Sequence, residues 1–330
     1  MKRLALPVLL VPAVLLVALV PAAQAVRRGP CVPGTKGPKC RVWTGKVMAV
    51  ADGDTVNARI WENGHWSERR DIRLLSLQAM ELTDYSRAHG RKGECHAVAA
   101  AERLEFLLQG RRVKHRKIRI AAFRASSRTA GRRGRLRRGI AYKSGGHWHD
   151  VGAVLMREGH ALWDPNGKEW AWNRRYAKLA GRAARDGRGI WDTDSCGAGP
   201  RASTPIALGV NWDARHSDGS NVNGEWVRIW NGDPVQPLSL HRWWVRDSAL
   251  RRYRLPATAV VPPRRSIRVH VGQGNDTATE LFWGLSEPIF ENLKRGRRAI
   301  GDGAYLFDPQ GDMRAWQIYP CHAGCAGPVL

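Results

Sequence analysis

The chain has 330 residues, of which 54 are Lys or Arg and 29 are Asp or Glu, so its formal net charge is +25. This length suits about two domains, and a hydrophobic content of 43% is enough to bury real cores. The positive excess favours polyanionic partners, namely nucleic acid, acidic glycans or anionic lipid headgroups. Charge alone does not select among them, because an arginine-rich proteome gives the same excess on a solvated face.

The first 25 residues have the pattern of a secretory signal peptide. A basic start, an apolar run and a small-residue site follow one another as Lys2-Arg3, Leu4 to Val20, and Ala23-Gln24-Ala25. Prolines interrupt the apolar run, which disfavours a membrane anchor. No later segment reaches the roughly 18 apolar residues of a membrane span. We therefore predict cleavage after Ala25 and a secreted, extracellular protein without a stable membrane span.

Six cysteines follow the signal, as expected for disulfides in an oxidising compartment. Sequence-local pairing predicts Cys31–Cys40 and Cys321–Cys325, which leaves Cys95–Cys196 to join the start of a helix to the end of a domain. A zinc site at Cys321-His322 and Cys325 is the alternative, although three intervening residues match no standard zinc spacing.

From residue 42 to 196 the pattern predicts five short strands with interspersed helices. Two strands lie within Trp43–Ile60 around an Asp-Gly turn, and the others are Asp71–Leu77, Val113–Ile120 and Ile140–Tyr142. The helices are Ala97–Leu108, Val151–Glu158 and Glu169–Arg185. This order indicates a β-barrel that carries helices.

After a Gly-, Pro- and Ser-rich linker at 197–205, helical periodicity largely disappears. Short runs separated by turns take its place, at Trp226–Trp230, Trp243–Arg246, Ser266–Val271 and Glu280–Trp283. Alternating strands of this kind predict a β-sandwich.

Three segments of the first domain carry the chemistry. They are Val50-Ala51-Asp52-Gly53-Asp54-Thr55-Val56, Ile72-Arg73-Leu74-Leu75-Ser76-Leu77-Gln78-Ala79-Met80-Glu81 and Arg137-Arg138-Gly139-Ile140-Ala141-Tyr142. Each is weak alone, but together and in this order they resemble the staphylococcal-type thermonuclease family, over roughly residues 42–191. Arg157-Glu158-Gly159-His160-Ala161 and Gly189-Ile190-Trp191 extend the match.

The resemblance implies an OB-like five-stranded barrel that hydrolyses DNA and RNA phosphodiesters to 3′-phosphates with a calcium ion. Its catalytic residues are Arg73, Glu81 and Arg138, with two arginines on the phosphate and the glutamate as general base or water-orienting group. The implied metal ligands are Asp54, Gln78 and the backbone carbonyl of Ala79, supported by Asp52 and Thr55.

The sequence departs from the family at one metal ligand. Gln78 stands where the family has a second carboxylate, so we expect calcium binding to be weaker. Arg135 and Arg137 flank Arg138, which leaves open which arginine reaches the phosphate. Candidate nucleic-acid contacts are Lys117 and Arg119 on one strand face, together with Arg135, Arg137 and Tyr142. A plainly solvated face is the alternative.

The second domain resembles the lamin-tail domain, which implies an immunoglobulin-like sandwich over about residues 205–319. Matching segments include Glu225-Trp226-Val227, Leu281-Phe282-Trp283-Gly284 and Gly301-Asp302. We find no catalytic constellation among them and interpret this domain as a binding or structural module, for DNA or the cell envelope.

The predicted organisation is a signal peptide (1–25), a short segment (26–41), the thermonuclease-like domain (42–196), a linker (197–205), the lamin-tail-like domain (206–320) and a tail (321–330). The leading functional prediction is a secreted calcium-dependent nuclease acting on DNA or RNA. The alternative is a catalytically weak or inactive extracellular DNA-binding protein.

Overall fold

Five strands of the first half of the chain close into a barrel. The computed structural model describes residues 27–82, 93–109, 117–130, 134–197, 204–293, 300–322 and 326–327. The predicted signal peptide lies outside this range. The strands of this half are β1 (Arg28–Pro30), β2 (Lys39–Val50), β3 (Thr55–Glu62), β4 (His65–Trp66), β5 (Arg70–Leu74), β6 (Leu77–Ala79), β7 (Lys117–Ala122), β8 (Leu136–Ser144), β9 (His147–Asp150) and β10 (Ala161–Trp163).

Hydrogen bonding runs in the order β2-β7-β8-β5-β3, and β3 pairs again with β2, so the ring is closed. All neighbours are antiparallel except β5 and β8, which are parallel. Closure leaves no free edge within the ring. The predicted OB-like barrel with helices is therefore confirmed at the level of fold.

The N-terminal segment is part of this sheet. We predicted residues 26–41 as a separate short segment, but β1 pairs with β2 and the Cys31–Cys40 disulfide closes the turn between them. The antiparallel hydrogen bonds extend the barrel to Arg28.

Three helices cover one side of the barrel, namely α1 (Ala97–Leu108), α2 (Val151–Glu158) and α3 (Asn173–Arg185). The first two match the predicted bounds. The third begins later than predicted, because Trp170–Trp172 forms a separate 3₁₀ turn. In α2, Asp150 caps the first turn by accepting the N–H of Ala153 at 3.4 Å, and Gly159 ends the helix at φ 78°.

The second half of the chain forms a sandwich of two main sheets. One sheet has the order β11-β12-β17-β18 and the other β15-β14-β19-β20-β21, with a separate β13-β16 pair. Apolar side chains from both, such as Val227 and Leu306, fill the space between them. The strands are β11 (Ile206–Asn211), β12 (Trp226–Asn231), β13 (Leu238–Ser239), β14 (Trp244–Asp247), β15 (Arg252–Arg254), β16 (Val260–Val261), β17 (Ser266–His270), β18 (Glu280–Phe282), β19 (Asp302–Phe307), β20 (Met313–Tyr319) and β21 (Ala326–Gly327).

The two halves share a hydrophobic core. Trp191, at the end of the first domain, lies 5.2 Å from the ring of Trp316 and 6.1 Å from that of Tyr305. Phe307 and Met313 belong to the same buried cluster. Asp312 of the second domain also accepts the backbone N–H groups of Ser195 and Cys196, each at 2.8 Å. The sandwich is thus packed against the barrel.

Two predicted disulfides are confirmed, Cys31–Cys40 and Cys95–Cys196. Cys321 is disulfide-bonded as well, which removes it as a zinc-binding thiolate. Its predicted partner, Cys325, lies outside the described residues. Among the helices of the described ranges, none is long and apolar enough to cross a membrane.

Candidate functional site

The Asp-Gly turn between β2 and β3 positions the first candidate side chain. Asp54 donates its backbone N–H to Oδ1 of Asp52 at 2.9 Å, which fixes the turn. Gly53 is required there, because a Cβ at this position would lie 2.7 Å from the Cβ atoms of Ala79 and Ala100. The close approach of the turn to α1 and β6 buries Asp54, which is 1% exposed.

Arg73 projects from β5 toward this buried carboxylate. Its Nη1 donates to Oδ1 of Asp54, and its Nη2 donates to Oε1 of Gln78. The other Asp54 oxygen accepts the backbone N–H of Ala79 at 2.9 Å. The structure therefore brings together Asp54, Arg73, Gln78 and Ala79, four residues that the thermonuclease resemblance assigns to one site.

Glu81 joins the same network through Gln78. The amide nitrogen of Gln78 donates to Oε1 of Glu81 at 2.8 Å and to the carbonyl of Ala79 at 2.9 Å. The pairing of β6 with β10 holds this segment, with Gln78 opposite Leu162. Glu81 is only partly buried, so its carboxylate borders solvent.

Burial dominates the electrostatics of the cluster. It raises the pKa of Asp54 to about 8, against the opposing effect of Arg73 and with a further rise from the charge of Asp52. Even with one guanidinium beside it, this carboxylate lacks compensating positive charge. Burial therefore favours the protonated form of Asp54.

The strand register places Arg137, and not Arg138, opposite Arg73. Arg73 pairs with Arg137 across the parallel β5–β8 ladder, whereas Arg138 pairs with Leu74. Because side chains alternate along a strand, Arg137 shares the face of Arg73 and Arg138 lies on the opposite face. The guanidinium of Arg138 instead donates to the carbonyls of Ala125, Ser127 and Arg137.

Arg135 lies on the same face as Arg137 and reaches the turn. Its Nη1 donates to Oγ1 of Thr55 at 2.8 Å, and that hydroxyl donates to Oδ1 of Asp54 at 3.0 Å. These hydrogen bonds place one of the neighbouring arginines at the Asp-Gly turn. Arg135 and Arg137, not Arg138, border the Asp54 cluster.

The other predicted nucleic-acid contacts lie elsewhere. Arg119 donates to the carbonyls of Pro30 and Cys31, so its guanidinium holds the N-terminal turn instead of facing an open surface. Lys117, two residues before Arg119 on β7, is exposed. Tyr142 stacks on His149 at 5.2 Å, in a separate cavity with Arg103. These three residues do not join the cluster.

Two acidic residues near the cluster were missed by sequence reasoning. Glu94 accepts the backbone N–H of Glu81 at 2.8 Å and forms an ion pair with Arg252 of the second domain. Asp164, just after β10, lies near Arg137 and Arg73, and burial raises its pKa to about 6 against these two charges. No local pattern marks either residue, since both reach the site only through the fold.

A cleft of about 980 Å³ lies beside the cluster, between the two domains. The barrel contributes Arg137, Asp164 and the loop at Arg124–Arg128, and the sandwich contributes Arg251 and Asp302. Burial and the neighbouring Asp247 raise the pKa of Asp302 well above its ordinary value. The second domain thus forms one wall of the cleft that borders the candidate site.

The oxygens of the cluster are of the kind that suit calcium. A carboxylate, an amide oxygen, a backbone carbonyl and a second carboxylate are supplied by Asp54, Gln78, Ala79 and Glu81. Both oxygens of Asp54 already accept hydrogen bonds, one from Arg73 and one from the backbone N–H of Ala79. Because Arg73 already bridges Asp54 and Gln78, a cation bound by both must compete with its guanidinium.

Comparison with known proteins identifies the second half of the chain. Residues 213–320 match the family model of the Lamin Tail Domain. This part of the chain is a lamin tail domain. Its immunoglobulin-like sandwich agrees with the two main sheets of the structure, and the family is one of binding or structural modules. No curated protein matches the chain.

Proposed function

We propose that the protein is a secreted nuclease that uses calcium to hydrolyse DNA or RNA phosphodiester bonds, with the lamin tail domain as a binding or structural partner. The observation that carries this proposal is the hydrogen-bond network that joins Asp54, Arg73, Gln78 and Glu81. Next to it, Arg137 and Asp164 line a cleft that contains further basic side chains. These residues come from the segments that resemble the staphylococcal-type thermonuclease family. The disulfides agree with export to an oxidising compartment.

In this mechanism Asp54, Gln78 and the carbonyl of Ala79 hold the calcium ion, with Asp52 and Thr55 supporting the turn. The bound ion supplies Lewis-acid stabilisation of charge that develops on the phosphate. With Asp54 and Gln78 holding the ion, the Arg73 guanidinium that now donates to both would be free to bind the phosphate oxygens.

Arg73 and Arg137 then grip the phosphate from neighbouring strands, since they share one face of the sheet. Glu81 accepts a proton from the attacking water. The water oxygen bonds to phosphorus as the bond to the 5′-oxygen breaks, and that oxygen takes a proton from solvent. The products are a 3′-phosphate and a 5′-hydroxyl.

The second candidate function is extracellular DNA binding with weak or absent catalysis. One observation favours it: Arg73 occupies the position between Asp54 and Gln78, and Gln78 brings no negative charge to attract a cation. In that case the arginines of the cluster serve only to bind phosphate.

Plasmid incubated with the mature protein separates the two functions. The nuclease shortens the DNA in calcium and not in chelator, whereas a binding protein only retards it. Glu81→Gln should lower the cleavage rate by about 10²–10⁴-fold, while Glu102→Gln, on the exposed face of α1, should leave it unchanged. Cleavage that continues undiminished in chelator would rule out the calcium assignment.

A further inference from the structure

A second basic groove lies on the barrel, on the face opposite to Arg73. It has a volume of about 430 Å³ and is bordered by β2, β3, β8 and the loop that contains Arg128. The rings of Trp43 and Trp61 line it. Trp61 is 44% exposed, which is unusual for a large aromatic side chain in a folded domain.

The position of Trp61 is fixed by its neighbours. Its ring meets that of Trp66 edge to face at 5.3 Å, and Lys46 lies 4.6 Å over the Trp66 ring. On the opposite wall, the guanidinium of Arg138 lies 5.2 Å over the ring of Trp43. The aromatic rings are therefore held in place with part of their surface available to a ligand.

The charge of the groove is strongly positive. Its lining includes one acidic residue, Glu62, against five arginines, which are Arg27, Arg41, Arg70, Arg128 and Arg138. Arg70 and Arg128 are exposed. Arg138 is buried, and its Nε has no hydrogen-bond partner among the described residues. Buried guanidinium groups beside exposed ones favour an anionic ligand.

Fixed aromatic rings interleaved with arginines suit one class of polyanion. Bases stack on an aromatic side chain only when they are released from a duplex, while arginines follow the phosphates. A lipid headgroup has no flat ring to place on the tryptophans. In a base-paired duplex the bases stack on one another, so no base face is free to stack on the tryptophan rings.

The groove also connects to the candidate site. Arg128 lines both this groove and the interdomain cleft that contains Arg137. A strand lying along the groove can therefore pass Arg128 and enter the cleft beside the Asp54 cluster.

We propose that this groove binds a single-stranded segment of nucleic acid, with bases against Trp43 and Trp61 and phosphates against Arg41, Arg70 and Arg128. This inference rests on the proposed function only in taking nucleic acid as the ligand. It adds that the substrate is held as a single strand, outside the residues that perform the cleavage.

The test is fluorescence anisotropy of a short labelled oligo-dT strand with the full mature protein in chelator, where no cleavage interferes. Trp61→Ala should weaken binding about five-fold or more, the effect of one lost stacked base. Trp148→Ala is the matched control, because Trp148 is 39% exposed but lies in a different cavity. Trp61→Phe should retain most of the affinity, and thermal denaturation reports whether each variant is folded.

Arg70→Gln tests the phosphate contacts separately. It should reduce the slope of log affinity against log salt by about 0.7, while Arg182→Gln on the exposed face of α3 should not change it. A folded Trp61→Ala variant with wild-type affinity, or equal affinity for duplex and strand, would overturn the proposal.

The two proposals can fail independently. If strand binding depends on Trp61 but calcium gives no cleavage, the nuclease proposal fails and the groove proposal stands. If the Trp61→Ala variant binds the strand with unchanged affinity and cleaves DNA in calcium, the groove proposal fails and the nuclease proposal stands.

Discussion

Arg73 and Asp54 form an ion pair whose side chains are both almost fully buried, at 8% and 2% exposure. Removing one partner of such a pair leaves an uncompensated charge in the interior, which costs about 3–5 kcal/mol. The same guanidinium bridges Asp54 and Gln78, the two side chains that we propose as calcium ligands. This pair therefore links the stability of the barrel to the chemistry proposed for its site.

Arg73→Ala should lower the rate of DNA cleavage about 10²–10³-fold through loss of one phosphate-stabilising group. It should also tighten calcium binding, because the competing guanidinium is gone. Isothermal titration calorimetry with calcium measures the second effect, and Arg73→Lys serves if the alanine variant does not fold. An unchanged calcium affinity in a folded variant would show that the guanidinium and the ion do not compete.

Gln78→Asp should lower the calcium concentration that gives half-maximal cleavage. A second carboxylate adds ligand charge at a site where calcium affinity depends on charge. Gln273→Asp, on the exposed surface of the lamin tail domain, is the matched control for the added charge. If both substitutions leave the calcium requirement as it was, Gln78 is not a ligand.

Loss of the two confirmed disulfides should have unequal effects. Cys95–Cys196 closes a segment of 101 residues and Cys31–Cys40 one of 9. Loop-closure entropy then predicts losses of about 4.7 and about 2.6 kcal/mol for the paired Cys→Ser variants. Chemical denaturation measures both, and a larger loss for the short loop would contradict this explanation.

Glu225 should make the lamin tail domain less stable as the pH rises. It is fully buried and accepts the N–H groups of Ile289 and Phe290 at 2.8 and 3.2 Å, and burial raises its pKa from 4.5 to about 7. Between these values the folded state holds a proton that the unfolded state has lost, so stability falls by about 3 kcal/mol as pH rises through this window. Glu225→Gln should remove this part of the pH dependence in denaturation measured at pH 4.5 and pH 8, and an unchanged dependence would contradict it.

Trp191→Ala should destabilise both domains together, by about 3–5 kcal/mol. The ring fills the core shared with Tyr305 and Trp316, so its loss leaves a cavity between the domains. Calorimetry should show one unfolding transition that moves to lower temperature. Exposed Trp148→Ala is the control, and two separate transitions in the wild-type protein would show that the shared core does not couple the domains.

Short-range strand and helix patterns predict the barrel, and the resemblance to the thermonuclease family implies the residues of the cluster. The Asp-Gly turn and the segment from Arg73 to Glu81 keep their neighbours along the chain. The face of each arginine on β8 depends instead on the register against β5, and Arg135, Arg137 and Arg138 offer no local signal that fixes it. A shift of one residue would exchange the faces, so the sequence alone does not show which arginine shares the face of Arg73.

Residues contributed by remote segments could not be predicted at all. Glu94 and Asp164 acquire their positions from the folding of α1 and β10 against β6, and their partners Arg252 and Arg137 are far away in the chain. The core shared by Trp191 and Trp316 is of the same kind. Burial of the tryptophans could be expected from their size, but their partner across the domain boundary could not.

The aromatic contact of Trp191 with Tyr305 and Trp316 affects how the lamin tail domain could be transferred between genes. A gene fragment that begins at residue 213 encodes the whole lamin tail family match, yet the product displays to water the face that Trp191 normally covers. If recombination moves this domain into another chain, that chain must bury the exposed apolar surface with a side chain of its own. Otherwise the surface stays exposed and favours aggregation. In this protein, Trp191 keeps the apolar surfaces around Tyr305 and Trp316 out of water.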